Sequence, residues 1–494
     1  MDFHLPLATY QAKYPGKYAA LYHALRDEIV RGVLEKDVKL PSSRELAAMY
    51  GISRGTVNQV YDMLLAEGYL QALRGKGTYV AYRADKREYK EDAGEPVVLS
   101  NWANRLLANS DDRGAGIRRY RKEQAEAAGK LISFELGQPD HEHFPSELWN
   151  RCLYEQVRRM AVFPLEDEFA AEGHPALREA IAQHLRRVRG IDASAERIVI
   201  VNGSMQAIAL LAQLLVEPGD PVIVERPGYP GIGRAIEAAG GVPVPVQVDG
   251  HGVVPQPWDS RLLFVTPSRQ FPTGAVLDLD RRQQLLRWAA ERGAVIVEDD
   301  YDSEFRHRGR PMEPLQVLDR EGRVVYLGTF SKTMPQHLRI GYAVLPDSLH
   351  GAFAAAKRLF EPHPSGLLEQ RALAAFMASG GYERHLRRMR RVYAGKFLQL
   401  QTLLQEQLST LFEWVESDAG LHLFGWWRGD ARTYAAYAAA CREAGVTWSD
   451  ADRYGMPPGL AGACLGFAHL TEGEMQLGVS RMKQAGDRLQ ADFS

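Results

Sequence analysis

Between residues 131 and 494 the chain alternates repeatedly between short β-branched apolar runs and longer amphipathic stretches. The runs are Ile198–Val201, Val222–Val224, Leu262–Val265, Val295–Val297, Val324–Leu327 and Tyr342–Leu345. Helical patterns at Met205–Val216, Gly231–Ala239 and Leu279–Glu291 separate several of them. Strands linked through helices re-enter a sheet from the same end, so they line up parallel rather than as hairpins. The pattern restricts this region to an α/β domain around a mainly parallel sheet.

The first 82 residues follow another rule. Ala20–Arg31 carries Leu21, Leu25, Ile29 and Val30 on one stripe and predicts a helix. Ser42 and Glu45 have capping-box spacing at the start of a second helix, which Gly51 ends. Ser53 caps a third, with Val57, Val60, Tyr61, Leu64 and Leu65 on its packed face and Gly68 at its end. Tyr69–Leu73 and Thr78–Ala81 then flank the tip Arg74-Gly75-Lys76-Gly77 as two short strands. This order is a winged helix-turn-helix. Arg54, Asn58 and Gln59 lie off the apolar stripe, where Arg suits guanine edges and Asn or Gln suits adenine. Arg74 and Lys76 can reach phosphate or the minor groove. A small helical domain with a solvated polar face has the same periodicity.

Residues 83–130 are charged, glycine-containing and weakly periodic, the composition of a linker with short local structure. Lys plus Arg total 60 against 62 Asp plus Glu, which excludes a chain-wide polycation. No run of apolar residues is long enough to span a membrane, and the N-terminus lacks a basic region followed by an apolar core. Cys152, Cys441 and Cys464 lie far apart with no zinc pattern or disulfide framework. A cytoplasmic protein with reduced thiols is expected.

In an open α/β sheet, ligands bind beyond the carboxyl ends of the strands. Asn202-Gly203-Ser204-Met205 after the first run is a small-residue turn feeding a helix, suited to an anion or to an ordinary N-cap. Glu225-Arg226-Pro227-Gly228-Tyr229 presents an aromatic ring. TPSRQFPTG, residues 266–274, is a Pro/Gly-rich loop. Glu298-Asp299-Asp300-Tyr301-Asp302 is an acidic strand end. Gly328-Thr329-Phe330-Ser331-Lys332 places a lysine beside hydroxyls, and Arg339 follows. Together they fit pyridoxal phosphate, which needs a lysine amine, a carboxylate at its ring nitrogen, an anion cradle, an aromatic cover and a donor to its phenolic oxygen. His141-Glu142-His143 lacks further ligands, so no metal site is expected. The basic run Arg384–Arg391 reads as a solvated helix face.

Residues 18–82, with LPSSRELAAMYGISRGTVNQVYDMLLAEGYLQALRGKGTYV, resemble the GntR-type winged helix. The resemblance implies DNA contacts at Arg44, Ser53, Arg54, Thr56 and Asn58, with Gly75 in the wing; relatives often carry Arg at position 58. Residues 131–494 resemble fold-type I aminotransferases, including the segment with Phe134, Gly137, Pro139, Asp140, Phe144, Pro145 and Trp149. That resemblance implies Lys332 as the Schiff-base lysine, Asp299 at the ring nitrogen, Tyr301 on the phenolic oxygen and Tyr229 stacked on the ring. It places the phosphate on Gly203, Ser204, Met205, Thr329 and Arg339. TPSRQFPTG, EDDYDSEF and LGTFSKTMPQHLRIGY in one chain with the winged helix resemble the MocR/GabR family of regulators.

Two positions depart from aminotransferases. Phe271 stands where they place Asn, with Gln270 as the neighbouring substitute. Cys464 stands where they carry an Arg for the substrate carboxylate, leaving Arg234 and Arg481 as alternatives. The expected chain is multidomain: a winged helix-turn-helix at 1–82, a linker at 83–130 and an α/β aminotransferase-like, pyridoxal-phosphate-binding domain at 131–494. Its expected function is to bind a double-stranded DNA operator and to sense an amine, an amino acid or pyridoxal phosphate itself. The alternative is a working transaminase with a DNA-binding appendage. A homodimer is implied, because a two-fold protein matches two half-sites and the family dimerises head to tail.

Overall fold

The computed structural model describes residues 3–83, 97–108, 131–160, 170–309 and 312–492. The chain divides into two compact units, residues 1–98 and 99–494.

The smaller unit comprises α1 (Leu7–Lys13), α2 (Lys17–Val30), α3 (Ser43–Tyr50), α4 (Arg54–Ala66), β1 (Leu70–Leu73) and β2 (Gly77–Val80). The two strands pair antiparallel with Leu70 opposite Val80. Helix α1 was not foreseen, since its short span buries only Leu7 and Tyr10. The capping box forms as its spacing predicts. The Glu45 N–H donates to Ser42 Oγ, and the Ser42 N–H donates to the Glu45 carboxylate at 2.7 Å. Gly51 ends α3 in the left-handed region at φ 61°. Leu21, Leu25, Ile29, Val57, Val60 and Leu64 share one core. Ser42→Ala removes a cap worth about 1 kcal/mol. Amide exchange in the first turn of α3 should therefore quicken about fivefold in the full chain; unchanged protection would refute a stabilising box.

The larger unit begins at α5 (Asn101–Ala108), inside the expected linker, and continues to β3 (Ile132–Phe134). Arg105 Nη2 donates to the Ala238 carbonyl at 3.0 Å, which docks α5 on helix Pro230–Ala239. The rest of the expected linker, residues 84–96 and 109–130, lies outside the described residues.

An eight-stranded sheet follows: β4 (Ile198–Val201), β5 (Pro221–Arg226), β6 (Val242–Asp249), β7 (Gly252–Val253), β8 (Leu262–Val265), β9 (Val295–Asp300), β10 (Val324–Thr329) and β11 (Gly341–Val344). The spatial order is β4-β11-β10-β9-β8-β5-β6-β7. β10, β9, β8, β5 and β6 are parallel neighbours. β11 runs antiparallel to both β10 and β4, and β7 antiparallel to β6. Every residue of β4, β8, β10 and β11 is buried, as strands covered on both faces require.

A second sheet contains β12 (Phe412–Trp414), β13 (His422–Trp427), β14 (Val446–Asp450) and β15 (Gly462–Gly466) in the order β12-β13-β15-β14-β3. It was not foreseen. HLFGWW and GACLG replace β-branched residues with glycine, cysteine and indole. Among the described residues no helix is long and apolar enough to cross a membrane.

Candidate functional site

The carboxyl ends of β4, β9 and β10 carry most of the sequence-predicted groups. Beyond β4 the chain turns through Asn202-Gly203 into helix Ser204–Leu215. Gly203 has φ 81°, and a Cβ there would lie 2.5 Å from Arg339 Nη2. Only glycine lets the guanidinium close over this turn. Arg339 itself adopts φ 51°, a left-handed conformation rare for a side chain of its size. The first-turn N–H groups of Ser204 and Met205 and the Arg339 guanidinium, which lies over Gly203, are of the chemistry that could hold an anion. Glu361 steadies the turn, accepting from Asn202 Nδ2 at 3.2 Å, Gln206 Nε2 at 3.0 Å and Lys357 Nζ at 3.0 Å.

Near the carboxyl end of β9, Asp299 is part-buried, and its Oδ1 is buried with no hydrogen-bond partner among the described residues. Burial, then the charge of Asp300, pushes its carboxyl up to about 7, against the opposing pull of Lys332. Such an acceptor fits a protonated ring nitrogen, which would fill the empty hydrogen bond and favour the anion. Asp300 faces away into a buried network, paired with Arg189 at 2.7 Å and accepting from Tyr326 Oη at 2.6 Å.

Beyond β10, the Ser331 N–H donates to Thr329 Oγ1 at 3.1 Å, shaping the turn before Lys332. Burial pushes the Lys332 ammonium pKa down, with Asp302 and Asp299 opposing. Lys332 shares a cleft with Glu135, Gly137, Phe271, Tyr301, Asp302 and His422. Tyr229 is 41% exposed at the start of helix Pro230–Ala239, edge-on to Phe271 at 6.1 Å. Phe271 is in turn edge-on to Tyr301 at 5.7 Å.

Gln270 does not substitute for the missing Asn. Its Nε2 donates to the Pro227 carbonyl at 2.7 Å and its Oε1 accepts from Thr273 at 2.6 Å, so its polar atoms are committed within the loop and to Pro227. Arg234 is exposed on its helix and Arg481 donates to the Gly445 carbonyl, so neither lines the Lys332 cleft. The residue that sequence reasoning missed is Arg269. It is buried, donates to Tyr301 Oη at 3.1 Å and to the His422 carbonyl at 2.8 Å, and pairs with Asp302 at 3.2 Å. The signal was an arginine embedded in TPSRQFPTG.

His143, in the metal-like triplet, turns its Nδ1 to Asp140 at 2.9 Å, and Asp140 also accepts from Lys396. In the smaller unit, Arg44, Arg54 and Asn58 are exposed. The Thr56 N–H donates to Ser53 Oγ at 3.1 Å, so Ser53 also serves as the cap of α4. Arg74, Gly75 and Lys76 form the exposed wing tip, with Gly75 at φ 75°.

Residues 169–481 match the family described as aminotransferase class I and II, and residues 17–80 match the bacterial regulatory proteins of the gntR family. The probable rhizopine catabolism regulatory protein MocR of Rhizobium meliloti is 38% identical over 477 residues, spanning 94% of this chain and 92% of that protein. The chain belongs to the MocR-type transcriptional regulators. This MocR-type chain is also 32% identical to the pyridoxine biosynthesis regulator PdxR of Corynebacterium glutamicum, over 79% of the chain and 78% of that protein. It is 34% identical to the regulator TauR of Rhodobacter capsulatus, over 77% and 78%. Its larger unit has the fold of type I aminotransferases. The kynurenine aminotransferase of Pyrococcus horikoshii aligns with a TM-score of 0.68 at 24% identity, covering 78% of this chain and 98% of that one. The α-aminoadipate aminotransferase LysN of Thermus thermophilus aligns at 0.66 and 26% identity, covering 78% and 99%.

Proposed function

We propose that this MocR-type regulator binds pyridoxal phosphate at Lys332, reads a DNA operator with α4 and the wing, and changes its operator affinity when an amine occupies the cofactor site. The observation that carries this reading is the enclosed, unpartnered Asp299 Oδ1 facing the charge of Lys332. Pyridoxal phosphate, when bound, supplies an aldehyde for an amine and a ring that withdraws electrons. The Ser204 and Met205 N–H groups, Thr329 and Arg339 would hold the phosphate; the Gly203 N–H donates instead to the Val201 carbonyl at 2.9 Å, and Gly203 contributes by leaving room for Arg339. Asp299 keeps a proton on the ring nitrogen. Tyr301 donates to the phenolic oxygen while Arg269 donates to Tyr301 Oη. Tyr229 covers the ring. The lowered pKa leaves Lys332 more of the neutral, nucleophilic amine.

An amine that competes with Lys332 alters the operator only if it binds the two states of the protein unequally. A homodimer in the cytoplasm, reading two half-sites, completes the proposal. Titrating the purified full chain with cofactor and amines, by absorbance and operator binding together, tests it. Operator affinity that is identical with and without cofactor and amine would remove the sensing role. Repeated turnover of an amino donor would favour a transaminase instead.

Arg54→Ala should weaken specific operator binding by about 1–3 kcal/mol if it makes a bidentate base contact. Unaltered discrimination between operator and random DNA would show that Arg54 reads no base. Lys76→Ala should lower the magnitude of the salt slope of binding by about 0.9, the share of one phosphate. An unchanged slope would place Lys76 off the backbone.

A further inference from the structure

The cleft beside Lys332 holds no surplus positive charge among the described residues. Arg269 pairs with Asp302 at 3.2 Å. Its Nε has no hydrogen-bond partner, yet it is sealed beneath Gly420, where a Cβ would lie 2.4 Å from it. Arg453 lies 3.7 Å from the Glu135 carboxylate. Lys332 faces Asp302 and Asp299. Burial pushes the pKa of His422 far down and that of His469 down, which favours the neutral form of both imidazoles lining the cleft.

Leu136, which lines the cleft, packs against a small apolar cluster in which Cys464 on β15 is fully buried with Phe424, Ala451 and Met456. A ligand carboxylate placed in the cleft would meet Glu135 and Asp302 with no unmatched cation, and an unpaired buried anion is strongly disfavoured. A hydroxyl reverses that balance, because it can donate to either carboxylate.

We infer that the effector is a primary amine with no carboxylate, whose remaining polar groups are hydroxyls: an amino alcohol or amino polyol. The inference rests on the reading of Lys332 as the cofactor lysine. It requires the amine to reach the cofactor while its hydroxyls are held by Glu135 and Asp302.

Matched pairs test it on the full chain loaded with pyridoxal phosphate. The pairs are L-serine against 2-amino-1,3-propanediol, and 4-aminobutanoate against 4-aminobutan-1-ol. The readouts are the cofactor absorbance shift and operator binding. Each alcohol should act at a concentration at least tenfold lower than its carboxylate partner. Equal or stronger action of the carboxylates overturns the inference, as does silence from both alcohols. Borohydride fixation at Lys332, mapped on the same protein, reports the underlying reading separately. Fixation with a carboxylate preference sinks only the ligand class, whereas no fixation sinks both. Cys464→Arg adds the missing cation and should move the preference toward the carboxylates at least tenfold. Its fold is checked by circular dichroism, and the wild-type pairs decide the question if it does not fold.

Discussion

Lys332→Ala should abolish borohydride-stable attachment of pyridoxal phosphate while the protein remains folded. The lysine is part-buried, and burial works against its charged form, so removing it relieves a desolvation cost as well as deleting an amine. Asp299 and Asp302 lose an opposing charge, but Asp302 keeps Arg269 at 3.2 Å. The Ser331–Thr329 turn is held by its own hydrogen bond and does not need the side chain. Reduction followed by peptide mass mapping checks the first half, and circular dichroism the second. Label on another lysine in the variant, or none at Lys332 in the wild type, would refute the assignment.

Asp299→Ala should weaken cofactor binding by about 2–5 kcal/mol, the usual cost of truncating one partner of a buried, hydrogen-bonded charge pair. Equilibrium dialysis against pyridoxal phosphate measures it; a change below threefold would place the ring nitrogen elsewhere. Stability without cofactor should move the other way. The Asp299 carboxyl is pushed up to about 7 in the folded chain, by burial first and by Asp300 second. The folded state therefore holds this proton more tightly than the unfolded one, and stability falls as pH rises from about 4 to about 7. The alanine variant lacks that contribution and should show a shallower decline over this window in denaturant titrations. A decline as steep as the wild type's would contradict the environment assigned to Asp299.

Much of this was legible because it is local. The Ser42 box, the Val57–Leu64 stripe and the apolar runs of the large sheet are set by neighbours within a turn or a strand. Lys332, Asp299 and Gly203 could be singled out because each lies at or just after the carboxyl end of a strand, where an α/β sheet gathers its ligands. The second sheet was illegible for the opposite reason. Its glycines answer to distant partners: a Cβ on Gly425 would meet the Trp414 ring at 2.6 Å, and one on Gly462 the Gly425 carbonyl at 2.8 Å. Arg269 was hidden likewise. The partners that fix it are Asp302 and the far more distant His422, and no spacing rule connects them.

The docking of α5 through Arg105 moves the boundary of the larger unit into the stretch expected to be linker. Residues 101–108 pack within the larger unit, which counts from Leu99, so the expected linker of 83–130 overlaps that unit. The carbonyl partner of Arg105, Ala238, lies in the last turn of the helix that starts beside Tyr229, so α5 is built into the same body as the candidate cofactor site.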